Sequence, residues 1–359
     1  MATGNDPLDL KELRAFPLRE PVSGRRYTLI RLETRGGLRG WGECAGTSDR
    51  EFAQARQLLS GIPATAYDVA WRKLEPIPGL RAAINMAQLD IVGQHAKAPV
   101  YQVLGGPTRN KARALAPIEG AAPSDLLASL QKAQQAGYRA FSTTVPPIEW
   151  VNQGQAYIFN VRGRMEILRK NGGPNVDFVL DGAAQLAAGD ASSIAAELEK
   201  FHLLWFDEPC RVSNLSALRK ITDENVTPVG YGRNITNGGE FQDLLREEAA
   251  DVLRPALYTY GVSQSRKIAA LAETYYVAVA PYHDGGPVAT AAALQLAASL
   301  PNFFIQQIPV PAGDADRQMR QAIAGDVERI RDGFAELPTA PGLGVQVNER
   351  ALDKYRDRG

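Results

Sequence analysis

The sequence is poor in the residues that would point to several large classes of function. Of its 359 residues only two are cysteine, Cys44 and Cys210, which excludes a disulfide framework and any cysteine-built metal site. Only three are histidine: His95, His202 and His283. Net charge is absent as well, since 40 Lys and Arg balance 40 Asp and Glu, so no long-range field draws the chain to nucleic acid or to an anionic membrane. No apolar run is long enough to span a bilayer, and "MATGNDPLDL" lacks the basic-then-apolar pattern of an export signal. These absences lead us to expect a cytoplasmic protein whose ligand is a small molecule, with no nucleic-acid or membrane partner.

What is present is a change of texture near residue 113. Before it, "RRYTLIRLET", "RGGLRG" and "WGECAG" read as strand, turn and returning strand, followed by helical stretches over about 50–75 and 80–97, with "PVYQVLGGP" closing the unit. After it, short apolar strands alternate with amphipathic helices. Eight strand candidates follow in order: "RALAPI", "RAFSTTV", "DFVLDG", "LLWFDEP", "PVGYGRN", "DVLRPAL", "YVAVAPY" and "FFIQQIP". Their C-terminal positions near 181, 208, 233, 256, 282 and 307 are spaced by 27, 25, 23, 26 and 25 residues, the length of a strand plus a crossover helix.

Eight such units predict an α/β fold, a modified TIM barrel of (β/α)7β or (β/α)8 type with an N-terminal α+β capping domain. An open doubly wound sheet is disfavoured because "APIEGAAP" makes a poor phosphate turn after the first strand. The expected division is a cap over 1–112, a barrel over 113–335 and a tail over 336–359 that returns to the cap. The stretch "PPIEWVNQGQAYIFNVRGR" reads as a long loop over the barrel mouth.

Several segments, in order, carry a resemblance: "GLRGWGEC", "LDIVGQHAKAPVYQVLGG", "LLWFDEP", "SRKIAALAETYYVAVAP", "GGPVATAAALQLAASLPNFFIQQ" and "PTAPGLGVQVNERAL". Together they resemble the enolase superfamily, in its mandelate racemase and muconate lactonizing enzyme group with the sugar-acid dehydratases. The resemblance implies Mg2+ held by three acids at successive strand ends, a bound substrate carboxylate, and a base that removes the neighbouring proton while the metal stabilises the enediolate.

Position by position, Asp181 matches the first ligand and Glu208 the second, while the third is Arg233, where the resemblance implies Glu. A guanidinium donates and cannot ligate. The metal site therefore reads as vestigial, with Arg233 either bridging Asp181 and Glu208 as a resident cation or turned outward to a substrate carboxylate. Without a metal no cofactor is expected; an intact site would need another third acid, with Glu240 and Asp207 as candidates, and would then hold Mg2+. Ser142 and Thr144 stand where a lysine pair is implied, Ala256 where an Asp orients a histidine, Tyr282 where that histidine belongs, and Gln307 where Glu is frequent.

His283, beside Asp284 and a glycine pair, is a candidate acid or base, and Tyr282 a second candidate; a one-residue shift in the preceding loop would exchange them. Arg233, Ser142, Thr144 and Gln307 are candidate ligand contacts. Cys210 has no matched base, and Trp41, Gly42 and Glu43 read as a hairpin over the mouth.

The leading expectation is thus a diverged binder of, or enzyme for, a small hydroxy-acid or sugar-acid carboxylate that has lost the usual proton abstraction. An intact lyase or isomerase (dehydratase or racemase) and a non-catalytic scaffold are the alternatives. A homo-oligomer is implied by resemblance, and Arg233→Glu is expected to create magnesium affinity.

Overall fold

The computed structural model describes residues 6–148, 154–212 and 215–357. The first strands, β1 (Leu10–Arg19), β2 (Arg26–Thr34) and β3 (Arg39–Cys44), form an antiparallel sheet in the order β1-β2-β3. Two short helices follow in place of one long one, α1 (Asp49–Leu58) and α2 (Tyr67–Lys73), because Gly61 and Pro63 interrupt the run. Ser48 and Glu51 cap α1 reciprocally.

Helix α3 (Pro78–His95) starts on a proline, whose missing N–H costs nothing at that position. Most of its sides are buried, as befits a helix enclosed between the cap sheet and the barrel. Strand β3 lies directly on it. A methyl group on Gly42 would fall 1.8 Å from the carbonyl oxygen of Ala83, and one on Gly40 would fall 2.0 Å from that of Ala87. Gly42→Ala must therefore push a strand off a helix backbone, and we expect it to lower unfolding free energy by about 3 kcal/mol, the upper end of overpacking costs. A change within about 0.5 kcal/mol in urea denaturation, the size of an ordinary surface substitution, would refute that close approach.

After the short α4 (Val100–Val103), eight parallel strands alternate with helices. They are β4 (Lys111–Pro117), β5 (Ala140–Thr144), β6 (Asp177–Asp181), β7 (Trp205–Asp207), β8 (Val229–Tyr231), β9 (Val252–Leu253), β10 (Ala278–Val279) and β11 (Gln306–Gln307). The helices that follow them in turn are α5 (Pro123–Gln135), α6 (Gly154–Gly172), α7 (Ala188–Leu198), α8 (Leu215–Glu224), α9 (Gly239–Arg246), α10 (Leu257–Thr274), α11 (Pro287–Ser299) and α12 (Asp314–Ala324).

Strands β4 to β10 pair in sequence and β11 pairs with β4. The circle closes through a parallel bridge from Val279 to Phe303, supported by Phe304 N–H donating to the Val279 carbonyl at 2.8 Å. The fold is thus the capped barrel that the strand spacing predicts. The expected mouth loop is partly helix, since α6 already runs from Gly154; residues 149–153 of that stretch lie outside the described residues.

Alternation along the strands sends Leu115, Ala140, Val179, Trp205, Val252, Ala280 and Ile305 into the barrel interior as one apolar layer. Their neighbours Phe141, Phe178, Leu180 and Phe206 face the surrounding helices. Beyond α12 a hairpin, β12 (Ile330–Arg331) and β13 (Phe334–Glu336), pairs antiparallel with the start of β4. The chain then returns to the cap, where α13 (Glu349–Lys354) is followed by Asp357 N–H donating to the Pro17 carbonyl at 2.9 Å. Among the described residues no helix is long and apolar enough to cross a membrane.

Candidate functional site

One layer above the apolar plug, at the C-terminal ends of the strands, the inward positions turn polar. Asp181 and Asp207 are register partners at the ends of β6 and β7, and Thr144 of β5 is level with Asp181. Arg233 follows β8, Arg254 follows β9, Tyr282 follows β10 and Gln307 ends β11. Ala256 bridges Tyr282, which fixes the seventh position on Tyr282. Gly230 leaves room for this arrangement: a side chain there would strike the Trp205 ring at 2.4 Å.

The two aspartates are held by two guanidiniums. Arg233 Nη2 donates to Asp181 Oδ1 at 2.5 Å, and its Nε lies 3.0 Å from Asp207 Oδ2. Arg254 Nη1 donates to the same Asp207 oxygen, while Trp205 Nε1 reaches Asp207 Oδ1 at 2.9 Å. Arg254 completes its bonding with Nη2 to Gln307 Oε1 at 3.0 Å and Nε to the Ala280 carbonyl at 3.4 Å. Burial opposes the charge on Arg233, but the carboxylates of Asp207, Asp181 and Glu208 outweigh it and push its pKa up, so it is permanently charged. Burial pushes the Asp181 carboxyl up, against the pull of Arg233.

Two expectations need correction here. The second strand-end acid is Asp207, not Glu208, and the Arg233 ion pair joins Asp181 to Asp207, not to Glu208. The cause is strand alternation: in "WFDEP" Trp205 and Asp207 point inward, while Glu208 adopts a left-handed backbone (φ 42°) that turns the chain ahead of Pro209. Its carboxylate instead accepts the backbone N–H groups of Gly232 and Arg233, each at 2.8 Å, securing the turn on which Arg233 stands. Period-two counting inward from Trp205 and Val252 would have selected Asp207 and Arg254 from the sequence. Arg254, which the sequence reading passed over, is 1% exposed and among the largest fully buried side chains.

Tyr282 lies in the site, with the Arg233 and Arg254 guanidinium carbons 5.2 and 5.4 Å from its ring centre. Burial pushes its phenol up to about 12, which leaves it a hydrogen-bond donor at neutral pH.

His283 is a further correction, because the one-residue step turns it out of the site. Its Nε2 is 3.5 Å from Thr290 Oγ1 of α11, and Thr290 donates to Glu328 at 2.6 Å. Burial lowers the His283 pKa to about 3, so the folded protein holds it neutral. The unfolded chain takes up a proton below about pH 6.5 and the folded chain does not, so stability is complete above that pH and declines as pH falls toward 3. We expect a slope approaching 1.4 kcal/mol per pH unit. In urea titrations between pH 6.5 and 5 the His283→Asn slope should differ from the wild-type slope by this contribution; an equal slope in the variant would refute the assignment.

The remaining candidates are spread unevenly. Ser142 is buried and Thr144 exposed, both on the inward face of β5, whereas Thr143 points out to Arg164 at 3.0 Å. Gln307 serves Arg254. Glu240 sits in the first turn of α9, outside the ring of contacts around Asp181 and Asp207. Cys210 is buried against Tyr231. Glu43 accepts from Tyr258 and from the backbone N–H groups of Gly286, Val288 and Ala289, fastening the cap to the start of α11.

The residues do not fit a divalent cation. Both aspartates are covered by guanidinium donors, Glu208 is engaged by backbone N–H groups, and among the described residues no group of three His, Cys, Asp or Glu is placed to hold a metal.

Comparison with known proteins adds two family matches. Residues 125–351 match the enolase C-terminal domain-like family, and residues 18–105 match the mandelate racemase/muconate lactonizing enzyme N-terminal domain. The chain is similar to the D-galactonate dehydratases of Variovorax paradoxus, 27% identical over 91% of this chain and 90% of that one, and of Pectobacterium atrosepticum, 26% identical over 91% and 90%. Among solved structures it is similar to a mandelate racemase/muconate lactonizing enzyme-like protein from Rubrobacter xylanophilus, with a TM-score of 0.86 and 23% identity over 99% of both chains. It is also similar to an enolase described as a putative galactarate dehydratase from Agrobacterium radiobacter, bound to Na and L-malate, with a TM-score of 0.86 and 24% identity over 97% of this chain and 95% of that one.

Proposed function

The chain belongs to the enolase superfamily, in its mandelate racemase/muconate lactonizing enzyme group, and from that premise we propose that it binds a small hydroxy-acid or sugar-acid carboxylate with an arginine in place of the group's metal. The names of its dehydratase relatives support a sugar acid as the ligand class. The observation that carries the proposal is the Arg233 guanidinium lying across Asp181 and Asp207.

A guanidinium there neutralises the acids that would otherwise face a cation. Its side chain is 15% exposed, so an edge remains open to a ligand. Thr144, beside Asp181, and Tyr282, over the guanidinium, supply hydroxyl donors to a polyol.

We further propose that metal-assisted proton abstraction is lost. Charge developing on an enediolate would meet one guanidinium already shared by two carboxylates, and several kcal/mol of metal stabilisation would have no replacement. The inward groups of β5 are hydroxyls, and Tyr282 keeps its proton, so neither supplies a strong base.

The test is calorimetry on chelator-stripped protein with Mg2+, followed by a screen of sugar acids with and without chelator. We expect no Mg2+ binding up to millimolar concentration and an acid whose affinity ignores the chelator. Arg233→Met should weaken that acid at least tenfold, about 1.4 kcal/mol. Mg2+-dependent dehydration or racemisation of any sugar acid would overturn the proposal.

A further inference from the structure

We propose that the metal position is closed by two arginines acting together, and that Arg254 is the one that keeps it closed. This rests on the reading that Arg233 replaces the metal, and goes beyond it by assigning a role to a residue that the family positions do not mark.

Asp207 Oδ1 accepts from Trp205 Nε1 at 2.9 Å, and Oδ2 accepts from Arg254 Nη1. Neither bond involves Arg233. If Arg233 were removed, each Asp207 oxygen would still hold a donor, and on Oδ2 that donor is a cation, so a hard cation, which needs several oxygen ligands, would have to share Asp207 with the Arg254 charge. Glu208 is tied to the turn, because one of its oxygens accepts two backbone N–H groups that any residue at 233 would still supply.

Arg254 cannot easily move aside. Its Nε and Nη2 are bonded to Ala280 and Gln307, and its guanidinium carbon is 5.2 and 5.4 Å from the Trp205 and Tyr282 ring centres. With Arg233 present, the two aspartates face two guanidiniums and their charges cancel. With Arg233 exchanged for an acid, the fixed cation of Arg254 still repels an incoming metal ion. Arg254 is thus a positioning residue: it fixes Asp207, Gln307 and Tyr282, and through Asp207 the seat of Arg233. The expectation that Arg233→Glu alone creates metal affinity is accordingly revised.

The test uses Mn2+ as probe, read by electron paramagnetic resonance of the free ion, on the full chain as wild type, Arg233→Glu, Arg254→Met and the double variant, each checked by circular dichroism. We expect the double variant to bind Mn2+ at least tenfold more tightly than either single variant. Arg233→Glu combined with Arg254→Lys should return to the weak level, because lysine restores the cation on Asp207; a purely structural role would not give that reversal. Should Arg254→Met fail to fold in combination, Arg254→Gln, which keeps an amide donor, takes its place with the same expectation. Tight binding by Arg233→Glu alone would overturn the role of Arg254 while leaving Arg233 as the replaced metal. Absence of binding in every variant would overturn both.

Discussion

Arg320→Met is expected to destabilise the protein by about 3–5 kcal/mol, the cost of removing one partner from a buried charge network. Arg320 comes from α12 and is 1% exposed. Its Nε and Nη2 both bond Glu328 at 2.6 Å, Nη2 also donates to the Gly285 carbonyl at 2.9 Å, and Nη1 donates to Glu20 of the cap. The same cap turn is held a second time by Asp316, which accepts from Val22 and Ser23 N–H at 2.7 and 2.9 Å. Methionine fills much of the volume but leaves Glu328 without its cation and Glu20, fully buried, with only Arg25 at 3.9 Å. The effect therefore resides in charge, and adding Glu20→Gln to the variant should recover part of the loss. Urea denaturation measures it, and a loss below about 1 kcal/mol, typical of an exposed ion pair, would refute the buried network. Because Gly285 lies three residues after Tyr282, the variant should also weaken carboxylate binding, which connects the seating of the cap to the site.

Most of the fold was legible in the sequence, and the reason is periodic. Strands that repeat every 23 to 27 residues with amphipathic helices between them admit few closed topologies, and all eight strand candidates form strands at the expected places. The acids and the arginine were also legible as a group, because each ends a strand. What failed was the facing of single residues. Glu208 and Asp207 are adjacent, as are Tyr282 and His283, and in both pairs a one-residue step exchanges the barrel interior for its outside. Motif position selected Glu208 through its proline, whereas alternation from Trp205 selects Asp207. Arg254 was hidden for a different reason: a charged side chain 1% exposed is not expected in a strand end unless its partners are known, and those partners lie 47 and 53 residues away.

The two neighbouring acids of "WFDEP" give the largest contrast between adjacent residues. Asp207→Asn is expected to cost about 3–5 kcal/mol, because Asp207 is fully buried and its carboxylate is the direct partner of Arg254 and the near neighbour of Arg233. An amide has the same shape, but it removes the negative charge and turns an N–H toward another donor, either the Trp205 indole on one side or the two guanidiniums on the other. Glu208→Gln is expected to cost only about 1 kcal/mol, although Glu208 is just as deeply buried. Its partners are backbone N–H groups, both on a single oxygen, and an amide oxygen accepts the same two bonds. The ordering also bears on function. Asp207→Asn should loosen Arg233 and weaken carboxylate binding, whereas Glu208→Gln should leave it within about threefold, a difference under 1 kcal/mol. Paired urea titrations and ligand calorimetry on the two variants measure both effects. If Glu208→Gln proved the more damaging, Arg233 would be seated by its own turn and not by the aspartate pair, and the exchange of metal for guanidinium would have to be sought at Glu208.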